Sequence, residues 1–335
     1  MRILVTGVAG FLGSHLADRF LSLGHEVVGI DSFIGGYKEN IPSGVEFYEQ
    51  DICELEGLEI PFSGGVELVV HTACTAYEGL SVFSPSLVVK NTVQLTTCAL
   101  SASIKAGVKK FVYLSSMARY GTQEVLPFRE DMLPNPQDPY GIAKFSSELL
   151  VKNLSETHGM KYVILVPHNI IGPRQKYDDP YRNVASIMIN RMLSGKQPII
   201  YGDGEQKRCF SFIDDVQAPL VEACFSDKVN GLTINIGPDE EFITINQLAK
   251  KLAVILEFKL DPIYVNGRPN EVIEANCSAN LARKVLGYKT LTSLESGLSQ
   301  LASYIKDAGI KEFDYSLPLE FITEKTPSTW VERSI

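Results

Sequence analysis

Thr6-Gly7-Val8-Ala9-Gly10-Phe11-Leu12-Gly13 follows the apolar run Ile3-Leu4-Val5 and opens a stretch in which Leu12, Leu16, Phe20 and Leu23 recur at helical spacing. The pattern predicts a strand over 3–6, a glycine turn, and a helix over 11–23. Glycines three apart let the chain turn tightly and bring backbone amides close to a pyrophosphate. The helix N-terminus adds a field that favours negative charge. The spacing is GxxGxxG, against the GxGxxG of the usual dinucleotide fingerprint. A purely structural turn is the competing reading, and the strand before and helix after the glycines weigh against it.

Asp31 ends the next apolar run, about 20 residues further on, where a carboxylate accepts the two ribose hydroxyls of NAD and repels the extra phosphate of NADP. No Lys or Arg follows it until Lys38. Asp51-Ile52, after the third strand, is placed to meet an adenine.

Further strands are expected at 26–30, 45–49, 68–71, 110–115 and 161–166, with long helical patterns at 85–107 and 140–158. Strand-helix alternation of this kind marks a parallel sheet covered on both faces. The expected architecture is therefore α/β: a Rossmann-type doubly wound parallel sheet in residues 1–172, and a smaller mixed substrate-binding region in 173–335. Beyond Gly172-Pro173 prolines and tyrosines become denser and the alternation stops. Part of 208–236 is expected to return to the first sheet. Trp330 and several prolines point to a tail that packs against the body.

The 335 residues are 45% apolar and 21% charged, the balance of a globular protein. A net charge of −9 lacks the cationic excess that nucleic-acid binding requires. No apolar run approaches the roughly 20 residues that span a bilayer. Met1-Arg2-Ile3 runs straight into a strand, so no signal peptide and a cytoplasmic location are expected. Cys53, Cys74, Cys98, Cys209, Cys224 and Cys277 form no CxxC pair, and the histidines show no ligand spacing. The cysteines read as buried small hydrophobes, and no metal is expected.

Tyr140-Gly-Ile-Ala-Lys144 opens the helical pattern after Pro139. Residues i and i+4 share a helix face, and a nearby ammonium lowers the pKa of a phenol. Ser115-Ser116, at the end of the fifth strand, brings a hydroxyl to the same proton transfer.

Together these features resemble the extended short-chain dehydrogenase/reductase family, and within it the nucleotide-sugar epimerases and dehydratases. The matching stretches are TGxxGFxG, the Asp31 position, Ser115 to Gly121, YxxxK, His168-Asn169-Ile170-Ile171-Gly172-Pro173-Arg174, Tyr201 to Gly204, Arg208 with Phe212 to Val216, and Arg268-Pro-Asn-Glu271. The resemblance implies Ser116, Tyr140 and Lys144 as the catalytic group. It implies an NAD site formed by Gly7, Gly10, Phe11, Leu12, Gly13, Asp31, Asp51, Ile52, the 71–75 stretch with Thr72 and Ala73, Asn91 and Pro167, together with Tyr140 and Lys144. A nucleotide-diphosphate sugar, UDP-linked by resemblance, would be held by Ser116, Asn169, Asn183, Val184, Arg208, Arg268 and Glu271, with Tyr201 against the base. Arginine suits that task because its planar fork donates bidentately to phosphate. Relatives of this size pair through two helices each, so a homodimer through 85–107 and 140–158 is implied.

Dehydratases resemble one another in carrying Asp-Glu after the catalytic Ser/Thr, and decarboxylases tend to keep the Glu. Met117-Ala118 stand there in this chain, and neither side chain moves a proton. A 4-epimerase working through a 4-keto sugar is the reading that remains. Pro167-His168 and Arg119 depart from the pattern of many galactose epimerases, which keeps open an enzyme that releases a keto sugar or epimerises another carbon. A non-catalytic NAD sensor on the same fold is the third reading, and the intact Ser116, Tyr140 and Lys144 count against it. Four residues after Glu271, where restricted hexose epimerases carry a bulky Tyr, stands Ala275. The small side chain implies room for an N-acetyl group, unless Tyr77 or Phe83 fills the space.

Overall fold

The computed structural model describes all 335 residues. Seven strands form one parallel sheet: β1 (Arg2–Thr6), β2 (Glu26–Asp31), β3 (Glu46–Glu49), β4 (Val66–His71), β5 (Lys110–Leu114), β6 (Lys161–Pro167) and β7 (Thr233–Ile236). Their order is β7-β6-β5-β4-β1-β2-β3, with registers such as Leu4↔Val28 on one side and Leu4↔Val69 on the other. This is a Rossmann-type sheet. Its inner strands are apolar on both faces, as burial between two helical layers demands. The order reverses between β1 and β4, and a crevice opens there beyond the carboxyl ends of the strands.

Helix α1 (Phe11–Ser22) buries Leu16, Ala17 and Phe20 against the sheet. The long helical pattern at 85–107 is not one regular helix. Pro85–Val89 and α2 (Leu95–Lys105) are joined by a π turn over Lys90–Gln94, and Asn91 is buried inside it. Such single π turns gather at functional sites, and hydrophobic periodicity does not reveal them. Helix α3 (Pro139–His158) starts on Asp138, whose carboxylate accepts from the Gly141 N–H at 2.8 Å. Proline at its first position fits the missing N–H there. Gly159 ends the helix at φ 69°, a conformation glycine adopts without a Cβ clash.

After Gly172 the chain makes small sheets: 199–201 beside 263–265, and 207–208 between 243–244 and 274–275. It also makes four substantial helices, α4 (Val184–Leu193), α5 (Ile213–Phe225), α6 (Ile245–Ile255) and α7 (Leu294–Ala308). The short, irregular texture read from the sequence understates them. A capping box at Thr244 and Gln247 starts α6, and α7 turns Leu294, Leu298, Leu301 and Ile305 inward. Helix α5 packs on α1, and β7 pairs with β6, so the later part of 208–236 returns to the first sheet, while 208 itself stays in the small sheet. One apolar core runs through from Ile3 and Phe20 to Leu298 and Ile305.

Candidate active site

The crevice is a cleft of about 420 Å³, and all the candidate catalytic, cofactor and substrate residues border it. That volume lies within the ordinary range for small-molecule sites. A second hollow of about 90 Å³ adjoins it, bounded by Ser116, Met117, Ala118, Arg208, Arg268, Glu271 and Ala275.

The glycine loop forms one rim. A Cβ on Gly13 would lie 2.1 Å from the Gly7 carbonyl oxygen, and one on Gly7, at φ +73°, would lie 2.9 Å from the Ala73 backbone. Only glycine lets the loop, the first turn of α1 and the segment just after β4 pack so closely. Gly10 precedes α1 without a side-chain cap, so Phe11, Leu12 and Gly13 present first-turn N–H groups at the cleft. Uncapped helical amides at a glycine cradle fit the pyrophosphate of a dinucleotide. Asp31 caps the loop from β2: its carboxylate accepts from the Ala9 N–H at 2.9 Å and the Phe33 N–H at 2.7 Å. Burial raises its pKa, and these backbone donors oppose the rise. Each oxygen keeps a further lone pair for a hydroxyl. Asp51 accepts from the Cys53 N–H at 2.9 Å and pairs with Lys90 at 3.3 Å.

Ser116 caps the short turn Met117–Arg119 after β5, its Oγ accepting from the Ala118 N–H at 3.2 Å. Tyr140 and Lys144 project from the first turns of α3 into the same region. Lys144 is 2% exposed, and its Nζ donates to the Leu114 carbonyl at 2.7 Å. Burial pushes the Tyr140 phenol up, aided by Cys74, while Lys144 and the Ser116 hydroxyl pull it back. Burial favours the neutral Lys144 amine, but Cys74, Tyr113 and Tyr140 outweigh it and the ammonium holds its proton. The set is a phenol, an ammonium and a hydroxyl in a water-poor pocket, which is what proton transfer from an alcohol needs.

Across the cleft, Arg268 pairs with Glu271 at 2.7 Å, and Arg208 reaches the same carboxylate at 3.7 Å. The Arg268 guanidinium lies 5.0 Å over the Tyr201 ring. Asn169 donates to the Cys209 carbonyl at 2.9 Å.

Cys74, in the 71–75 stretch expected to line the NAD, is only part-buried and borders the cleft beside Lys144, which corrects its reading as a buried hydrophobe; the other five cysteines are buried. Several further neighbours escaped the sequence reading. Glu78 and Asp138 border the smaller hollow, and burial together with the Glu78 charge pushes the Asp138 carboxyl up to about 7. Asp138-Pro139 was legible as a helix start. Arg182 borders the cleft with its guanidinium 5.4 Å from the Tyr77 ring, and no sequence pattern pointed to it. Arg119, conspicuous in the sequence, borders neither hollow. It is buried behind the site, its Nε 3.0 Å from Glu148, which also takes the Ser115 hydroxyl. His168 is fixed likewise, its Nε2–H donating to the Pro238 carbonyl at 2.8 Å. No helix is long and apolar enough to cross a membrane.

Residues 3–237 match the model of the NAD dependent epimerase/dehydratase family. A putative UDP-glucose 4-epimerase of Methanocaldococcus jannaschii is 33% identical over 309 residues, 91% of this chain and 98% of that protein. A UDP-N-acetyl-alpha-D-glucosaminuronate decarboxylase of Bacillus cytotoxicus is 27% identical over 321 residues, 91% of this chain and 98% of its own length. The UDP-glucose 4-epimerase of Thermotoga maritima, solved with UDP-glucose, superposes with a TM-score of 0.87 at 35% identity, covering 92% of this chain and 99% of that one. With the glycine cradle, the Asp31 cap and the Ser116, Tyr140 and Lys144 cluster, this likeness over nine-tenths of the sequence means that the chain belongs to the NAD-dependent epimerase/dehydratase family of extended short-chain dehydrogenases/reductases.

Proposed function

We propose that the protein is a 4-epimerase of UDP-hexoses, UDP-N-acetylhexosamines or both. The observation that carries the reading is the wall beside Ser116. Met117 and Ala118 border the smaller hollow where a dehydratase needs an acid and a base. Asp138 and Glu78 border it too, but the Asp138 carboxylate is engaged by the Gly141 N–H at 2.8 Å as the cap of α3, and Glu78 is an exposed residue of the short helix 78–81 rather than of the stretch after Ser116.

In this reading Tyr140 takes the proton of the sugar 4-hydroxyl, Ser116 bridges hydroxyl and phenol, and Lys144 holds the phenolate by its charge. The glycine cradle and Asp31 would hold NAD, which would supply the hydride acceptor and donor for C4 through which a 4-keto sugar could be re-reduced on its opposite face. Arg208 and Arg268 grip the diphosphate once Glu271 yields part of their hydrogen bonding, and Tyr201 meets the base. Ala275 leaves the hollow open on the sugar side. Tyr77 borders the larger cleft instead, hydrogen-bonded to Asp179, and Phe83 lies behind it against Trp330.

A homodimer belongs to the same reading. Ile142 and Leu149 on α3 are 51% and 54% exposed, an apolar face suited to a second copy. Sedimentation at micromolar concentration reads this directly, and a monomer contradicts it.

Incubating the protein with a panel of nucleotide sugars and reading products by NMR tests the function. The 4-epimer of a UDP-sugar is expected. A 4-keto-6-deoxy or decarboxylated product overturns the proposal.

A further inference from the structure

Residues 309–335 have little regular structure, yet they are tied down along their whole length. On one side the segment is laced to α4. The Asn190 side-chain amide donates to the Lys311 carbonyl at 2.8 Å and accepts from the Lys311 N–H at 3.2 Å, and Arg191 donates to the Ser334 carbonyl at 3.3 Å. On the other side the segment reaches the sheet domain. The Glu320 carboxylate accepts from the Ser86 and Leu87 N–H groups at 3.1 and 2.7 Å, capping the turn at Pro85, and Ser84 donates to the Pro318 carbonyl at 2.6 Å. The segment is a strap joining the two walls of the cleft.

What the strap carries across the gap is specific. Trp330, 2% exposed, stands edge-on to Tyr181 at 5.1 Å, to Phe83 at 6.0 Å and to Tyr201 at 6.4 Å. Thr329 Oγ1 shares a 2.7 Å hydrogen bond with the Tyr201 hydroxyl. The Trp330 indole N–H is buried beside it and makes no hydrogen bond of its own. Tyr201 is thus held at its hydroxyl and edge by the strap, while its ring face carries the Arg268 guanidinium at 5.0 Å. Ile335, buried, itself borders the cleft. A tyrosine free to turn about χ1 would lose rotamer freedom on binding a ligand; one already fixed does not.

We propose that Thr329 and Trp330 are positioning residues for the nucleotide-diphosphate end of the substrate. They fix Tyr201, and through its ring the Arg268 guanidinium, so that the strap is part of the binding site. The inference rests on the nucleotide-sugar reading of the cleft.

The test measures UDP and NAD affinities by calorimetry on the full chain and its variants. Trp330→Ala removes three aromatic edges and is expected to weaken UDP roughly tenfold, with NAD affinity kept within about twofold. Thr329→Val and Tyr201→Phe each remove one hydrogen bond and are expected to weaken UDP roughly threefold. The two act through one contact, so the double variant is no weaker than either single one. With a turned-over UDP-sugar, the loss falls on KM more than on kcat. Equal UDP affinity in all variants overturns the proposal, as do independent, additive effects of Thr329→Val and Tyr201→Phe. The pair decides the matter even if Trp330→Ala fails to fold. If the unaltered protein binds UDP and the variants bind it equally, the strap proposal alone fails. If the unaltered protein binds no nucleoside diphosphate, the reading of the cleft fails and the proposal with it.

Discussion

The Lys144 ammonium lies 6.0 Å from the centre of the Tyr140 ring and is anchored to the Leu114 carbonyl at 2.7 Å. The charge that opposes the burial of the phenol is therefore fixed to the end of β5, beside Ser116. Tyr140→Phe removes the proton acceptor and little else, so turnover should fall on the order of 10²–10⁴-fold while NAD binding persists. A variant keeping more than about a tenth of the activity means that another group is the base.

Asp31 joins two tasks, bracing the glycine loop through Ala9 and Phe33 and facing the cleft with its charge. NAD should bind more tightly than NADP. Asp31→Ala should weaken NAD by roughly tenfold or more, the loss of a charged hydrogen bond, and narrow the gap between the two. Titration of both coenzymes checks this, and tighter NADP binding by the unaltered protein contradicts it.

The sheet and the cofactor rim were legible because they rest on local rules. Apolar runs on strands buried on both faces, glycines where no Cβ fits, and a carboxylate at a strand end are each visible in a few neighbouring residues. Tyr140 and Lys144 were legible because one helix face joins them. What escaped depends on contacts distant in sequence. The π turn that turns Asn91 inward is not encoded in periodicity, although Asn91 itself was legible through the family resemblance. Arg119 stands beside the catalytic strand in sequence, yet is drawn behind it by Glu148, four residues beyond Lys144 on α3. Arg182 meets the site only through the fold. The strap is the plainest case: Thr329 and Tyr201 are 128 residues apart in the chain.

Asp138 gives a pH signature. Its folded-state carboxyl is raised to about 7 by burial and the Glu78 charge, from an ordinary 3.8. A raised group contributes stability below its unfolded pKa, and that contribution is lost as pH rises through the folded value. Stability should therefore fall between about pH 4 and pH 7 in part because of this one group. Asp138→Asn keeps a helix cap of equal quality and removes the charge. Melting temperatures at pH 5 and pH 8 should differ less for the variant than for the unaltered protein; an equal difference in both contradicts the assignment.

Ala275 borders the hollow beside Ser116 and Met117. Ala275→Tyr should abolish turnover of UDP-N-acetylhexosamines, whose acetamido group meets the new ring, and leave UDP-hexose turnover within a few-fold. Loss of both to the same extent, or of neither, places the discrimination elsewhere.

The most direct test of the reaction follows a deuterium label placed at C4 of the UDP-hexose that the NMR panel shows to be turned over. The label should appear undiminished at C4 of the 4-epimer, with no NADH accumulating in solution. Loss of the label to solvent, stoichiometric NADH, or a stable keto sugar would contradict a 4-epimerase built on Ser116, Tyr140 and Lys144.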